Sequence, residues 1–201
     1  MEREKMKGTN AVAFLAAAMS ILPATAMAQS SVNYSHDGRP ERMFRPVAGL
    51  NNSDINFLKY AAATNEFEIE AGQLAIDKGQ SSFTKEFGKE MVADHTMTRD
   101  QLQQIAQQKG VSLPAELPKK LQSTLNYLRS ASGDQFDEAF RRCQIDGHAD
   151  ASMMFKHEIK VGHDEDVKGY AVTTLPEITN HYKLAEAKQT MMGDTRADHG
   201  N

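Results

Sequence analysis

Glu68, Asp94, His95, His148 and His181 are carboxylates and imidazoles, the side-chain types that hold zinc, iron or manganese. Each lies in one of four long amphipathic stretches, and chain spacing puts them at similar depth. Measured from a turn near residue 80, Glu68 lies about 12 residues back and His95 about 15 on, a height difference of about 4 Å at helical rise. From a second turn near residue 163, His148 and His181 lie about 14 and 18 residues away. Helical bundles build interior metal sites this way, one residue from each helix. Three imidazoles with a carboxylate from Glu68 or Asp94 would complete a closed tetrahedral zinc site.

Angular position argues less strongly. At about 100° per residue, His95 and His181 fall within about 45° of the centres of their apolar stripes, whereas Glu68 and His148 fall at stripe edges. An edge position reaches the axis between four helices, or it points to water. A single His on a helix edge is ordinarily solvated or hydrogen-bonded, and with seven His in the chain some levelling arises by chance. Asp94 then either binds a metal directly or orients a neighbouring imidazole. His157 and His163, near a helix C-terminus, suit the dipole and carry no assigned chemistry. Glu158 lies on an apolar face as a spare ligand or a buried ion-pair partner. The pairs Met153-Met154 and Met191-Met192 read as packing rather than as a copper site, and Cys143 as a small buried hydrophobe.

The elements that must position these residues are helical throughout. A first helix, capped at Ser53 or Asp54 and ending at Gly79, carries Ile55, Leu58, Ala62, Ile69, Gly72 and Ile76 at three- and four-residue spacing. A second starts at Ser81 or Ser82, ends at Gly110, and carries Phe87, Met91, Thr98, Leu102 and Ile105. The short turn between them forces an antiparallel hairpin. After Pro114 and Pro118 comes a short helix marked by Leu121, Leu125 and Leu128. A third long helix opens at Asp134 with Phe136, Phe140, Cys143, Gly147, Ala151 and Phe155 on one face. A fourth, from about 165 to 190, follows "VGHDED" with Val167, Tyr170, Ala171, Ile178, Tyr182 and Ala185, and Pro176 is expected to kink it. Strand-type alternation is absent. The fold class is therefore all-α: two antiparallel hairpins joined by a long crossover containing a short helix, the connection of a ferritin-like four-helix bundle.

The ends read differently. Residues 1–28 place Arg3, Lys5 and Lys7 before the apolar run "AVAFLAAAMSILPATAMA", the layout of a signal peptide cleaved before Gln29. Residues 29–52 are polar and turn-rich, a flexible leader; 53–190 form the bundle domain and 191–201 a flexible tail. Export to the periplasm follows, with no stable membrane span after cleavage. One Cys excludes an internal disulfide, so stability rests on packing. The net charge of −4 becomes −5 once residues 1–28 are removed, and with no dense Lys/Arg stripe this argues against nucleic acid as a partner.

The stretches "EIEAGQLA" (68–75), "MVADHTMTRDQL" (91–102), "SGDQFDEAF" (132–140), "CQIDGHADASMMF" (143–155) and "TLPEITNHYKLA" (174–185) resemble a family of exported bacterial proteins, the domain of unknown function 4142. The resemblance covers about residues 54–188 and implies a ferritin-like bundle, with Glu68, Asp94, His95, His148 and His181 as the family's polar positions. It implies no established activity. Di-iron oxidases of the wider ferritin-like group use Glu-x-x-His on two helices. Here Val92, Ile145 and Ile178 stand three residues before His95, His148 and His181, so the oxidase motif is absent and a non-enzymatic role is favoured. The function expected is an exported bundle binding a divalent metal through the mid-bundle cluster. The alternative is a metal-free envelope stress or interaction module, whose protein partner the chain does not identify.

Overall fold

Asn51 begins the first helix through a reciprocal cap. Its Oδ1 accepts the Asp54 N–H at 2.9 Å, and the Asp54 carboxylate accepts the Asn51 N–H at 2.6 Å. Two of the N–H groups that helix geometry would leave bare are thereby satisfied. Helix α1 consequently spans Asn52–Lys78, slightly earlier than the Ser53 or Asp54 cap expected from sequence, because Asn51 caps at least as well as serine. In this computed structural model residues 49–197 are described, with side chains through Ala187. The signal segment at 1–28 and most of the 29–52 leader lie outside the described residues.

Helix α2 is Ser82–Gln108, capped by Ser81 as expected, and the chain leaves it through Gly110 at φ 66, a left-handed turn that glycine adopts without a Cβ clash. Helix α3 is Lys119–Ser130, α4 is Gly133–Val161 and α5 is Glu165–Ala197. Among the described residues the chain is all-α, with five helices and no strand. Helix α5 passes through Pro176, where the ring removes a ladder N–H. It also continues beyond the end expected near 190, since residues 186–192 are mostly good helix formers. No helix among the described residues is long and apolar enough to cross a membrane.

Helices α1 and α2 pack as one hairpin and α4 and α5 as the other, with further contacts between α1 and α4 and between α2 and α5. Each hairpin turn is held by a carboxylate from the other hairpin. Asp137 of α4 accepts the Gln80 and Ser81 N–H groups, both at 2.8 Å. Asp54 of α1 accepts the His163 and Asp164 N–H groups at 2.9 and 3.2 Å. Both carboxyls are held below the usual carboxylate range: burial acts to raise them, but the combined hydrogen bonds outweigh it. Charge-assisted hydrogen bonds at both ends thus tie the hairpins in one axial register.

Two apolar clusters fill the interior. One gathers Phe57, Leu58, Leu102, Phe155, Tyr170 and Ile178, with the Phe57 and Phe155 rings edge-on at 4.8 Å. The other gathers Phe67, Phe87, Met91, Leu125, Phe136 and Phe140. Reading along α2, α4 and α5, the residues between the clusters are His95, Gln144, His148 and His181, all buried. The core is split by a polar layer.

Helices α1 and α2 touch at a reciprocal glycine pair. A Cβ at Gly72 would lie 2.8 Å from the Gly88 carbonyl oxygen, and one at Gly88 would lie 2.7 Å from that of Gly72. Backbone cannot yield as a flexible side chain can. Gly72→Ala or Gly88→Ala should therefore force the hairpin apart and cost about 1–3 kcal/mol. Gly169→Ala, at an exposed α5 position where a Cβ meets nothing within 4 Å, should stabilise by up to about 1 kcal/mol. Urea denaturation of the three variants checks both signs.

Candidate metal centre

His95 of α2, His148 of α4 and His181 of α5 meet in the polar layer, each offering a ring nitrogen, with these atoms all within 4.8 Å of one another. Ring centroids lie 5.2 Å apart for His148 and His181, and 5.7 Å from His95 to each of them. All three rings are buried. His148, at a stripe edge in the sequence pattern, is thus as interior as His95 and His181.

The outward nitrogens are held by acceptors from three different sources. His148 Nδ1 lies 2.9 Å from the Gln144 carbonyl oxygen, which can only accept, so Nδ1 carries the proton and Nε2 is bare. His95 Nδ1 lies 3.0 Å from Asn65 Oδ1. The Asn65 amide is oriented by donating to the Tyr170 hydroxyl at 3.2 Å, so its oxygen faces His95 and also accepts from the Thr98 hydroxyl at 3.2 Å. Nδ1 of His95 is therefore the donor, and its Nε2 is bare, buried and without a partner among the described residues. His181 Nε2 lies 3.1 Å from Asp94 Oδ2 and 3.8 Å from Glu90 Oε1, while its Nδ1 lies 3.3 Å from His148 Nε2.

This arrangement orients lone pairs inward. With His181 Nε2–H donating to Asp94, three bare nitrogens converge: Nε2 of His95, Nε2 of His148 and Nδ1 of His181. Neighbouring ligands on a tetrahedral zinc with Zn–N near 2.0–2.1 Å stand about 3.3 Å apart, and the His148–His181 pair already has that 3.3 Å separation. Without a cation, the same contact needs a proton on His181 Nδ1; burial holds the His181 ring below the usual imidazole range, against the opposing pull of Asp94 and Glu90. Burial and the neighbouring rings hold His95 well below the usual imidazole range, and burial and His181 push His148 down to about 3.

The two sequence-derived carboxylates occupy different places. Asp94 sits on the outer nitrogen of His181, and with Glu90 and His181 it forms a second, partly exposed group. Glu68 is fully buried and outside both groups among the described residues. It accepts the Gln144 amide at 2.7 Å and lines the same small void, about 10 Å³, as Asn65, His95 and His148. That is room for about one water or ion. Burial pushes the Glu68 carboxyl up to about 7, only partly offset by Gln144.

Several other sequence readings are now placed. Glu158 is buried at the α4 C-terminal end, where its Oε2 accepts the Ser53 hydroxyl at 2.8 Å, and burial with the adjacent Asp54 pushes it up to about 7. It is therefore remote from the imidazoles rather than a spare ligand. Cys143 is half-buried beside the apolar cluster of Phe136 and Phe140, its thiol pushed up by burial and by Glu68. Met153 is an exposed surface residue; the Met191-Met192 pair lies beyond the described side chains. Asn65, Gln144 and Thr98 were not read from the sequence as site residues. Their signal is helical spacing: Thr98 lies three residues after His95, Gln144 four before His148, and Asn65 three before Glu68.

The fold and its buried polar layer define an all-α protein with a histidine-rich interior. The chain belongs to the family described as Domain of unknown function (DUF4142), whose model matches residues 40–187. A solved structure described as the crystal structure of a DUF305 fragment from Deinococcus radiodurans matches with a TM-score of 0.62 at 10% identity, covering 69% of this chain and 96% of that one. At that identity the likeness concerns the helical fold alone. No curated protein matches the chain.

The buried titratable groups have opposing linkage. His95 and His148 are held neutral when folded, so the unfolded chain binds more protons below the usual imidazole value of 6.5, and their contribution is lost as pH falls from there to about 3 for His148. Glu68 is raised, so its contribution is present below 4.5 and is lost as pH rises through about 7. Urea titrations across pH should show Glu68→Gln losing less stability than wild type between about 4.5 and 7, with the acid limb below 4.5 retained.

Proposed function

We propose that this protein is an exported, periplasmic ferritin-like four-helix bundle that holds one divalent metal ion through His95, His148 and His181. The observation that carries this reading is the His95 Nε2 atom, buried without a partner between two other imidazoles. A bare buried nitrogen is costly unless something fills it, and a cation fills three at once. Each imidazole also has its other nitrogen fixed by Asn65, the Gln144 carbonyl or Asp94, the support that metal-binding histidines ordinarily receive. The small void beside Glu68 suits a water or the carboxylate itself as the fourth ligand. Two helical hairpins with a long connection carrying α3 support the bundle assignment.

Three nitrogen donors and one oxygen donor suit zinc, with iron or manganese as further candidates. The competing reading is a metal-free envelope interaction module in which the rings are interior hydrogen-bonding groups. It is supported by the continuous Asp94–His181–His148–Gln144 contacts.

Calorimetric titration of the untagged mature protein with Zn²⁺ separates them. Wild type is expected to bind about one equivalent, and His95→Ala to lose roughly tenfold or more in affinity, since even supporting contacts are worth roughly 10–100-fold. His163→Ala, whose ring is exposed and faces the Gly49 carbonyl, should bind as wild type does. A chelator-sensitive melting temperature restored by Zn²⁺ is the companion result. Binding below about a tenth of an equivalent, with melting indifferent to chelator, overturns the metal reading.

A further inference from the structure

The two metal-type groups share His181, which turns Nδ1 toward the interior imidazoles and Nε2 toward Asp94 and Glu90. Resting on the metal reading of the three imidazoles, we propose that Glu90, Asp94 and Glu177 form the entry through which a divalent cation reaches them, with the His181 ring passing it inward.

The helical spacing builds this entry directly. Glu90 and Asp94 are four residues apart on α2, and Glu177 and His181 are four apart on α5, so each pair stacks on one face. The pairs meet through His181, whose Nε2 lies 3.1 Å from Asp94 and 3.8 Å from Glu90. Glu177 is half-buried one turn before His181, and its carboxyl is raised first by burial and then by the charges of Asp94 and Glu90. No cation is paired with Glu90 or Asp94 among the described residues except the His181 ring itself.

Acidic residues alone would carry nothing, but two observations independent of them point inward. The His95 Nε2 atom behind the His181 ring is buried and bare. Around the rings on the other sides, Asn65, Glu68, Gln144 and Thr174 are all buried. The α2–α5 seam differs: the Asp94 side chain is 29% exposed and that of Glu90 38%, while His181 beneath them is 1% exposed. One imidazole separates water from the interior cluster. His181 bridges the two groups, with Nε2 toward the outer carboxylates and Nδ1 toward the inner nitrogens.

The test is the rate of Co²⁺ uptake by the untagged mature chain, followed by stopped-flow absorbance at low ionic strength. Clustered charge of one sign raises cation association by about tenfold or more, and salt suppresses the effect. The Glu90→Gln/Glu177→Gln double variant should take up Co²⁺ about tenfold more slowly, with the difference shrinking at high salt. The single variants should fall between, and they keep the test valid if the double variant folds poorly. Glu66→Gln/Glu70→Gln changes the net charge equally on an exposed α1 face and should leave the rate unchanged. Equal rates in wild type and the entry variants, or an equal slowing by both double variants, overturn the entry while leaving the imidazole site standing. No uptake by wild type overturns the site and the entry together.

Discussion

Packing three imidazoles into an apolar interior imposes one constraint that shapes the rest of the molecule: each ring nitrogen must either find a partner or be filled. The Gln144 carbonyl, the Asn65 amide and the Asp94 carboxylate meet this need for the outward nitrogens. Each of those acceptors has its own support. Asn65 is oriented by Tyr170 and Thr98, and the Gln144 side chain is engaged with Glu68. A layer of polar groups in a low-dielectric interior is costly when half satisfied and specific when complete. The bare His95 Nε2 and the unpartnered Gln144 Oε1 are the points at which the described residues leave it incomplete.

Such a layer demands accurate axial register, since one residue of slip along a helix moves a ring by about 1.5 Å and turns it by about 100°. The register is held by features remote from the rings. Asp137 and Asp54 each anchor the turn of the opposite hairpin, and Gly72 against Gly88 lets α1 and α2 approach too closely for a Cβ on either. The apolar clusters on either side supply most of the burial. The polar layer selects which arrangement of that burial is correct.

The same layer explains where periodicity misplaces helix faces. In α1 the apolar markers Leu58, Ala62 and Gly72 are buried, but Ile55, Ile69 and Ile76 are only half-buried, whereas Ala61, Asn65, Glu68 and Ala75 face the interior. In α4 the buried positions are Gln144 and His148 rather than Cys143 and Gly147. Polar side chains occupy the inner face at the site, so a hydrophobicity pattern is drawn toward their apolar neighbours. Glu68 and His148 fall at the stripe edges of that pattern for this reason. The α2 stripe of Phe87, Met91, Thr98 and Leu102 is buried as expected, and only Ile105 at its end is half-buried.

From the sequence by itself came the all-α class, the two short turns and long connection, and the near-level placement of Glu68, His95, His148 and His181, because helical rise and capping chemistry are local properties. Tertiary structure decided which nitrogen each ring turns inward, that Asp94 supports His181 from outside, and that Glu68 stands back against Gln144. It also brought Asn65 of α1 to His95 of α2, and Glu177 of α5 into the field of Asp94 and Glu90 of α2. Those outcomes depend on helix rotation and on hydrogen-bond partners distant in the chain. A sequence states each helix's rise; only packing against the other helices fixes the direction in which each side chain points.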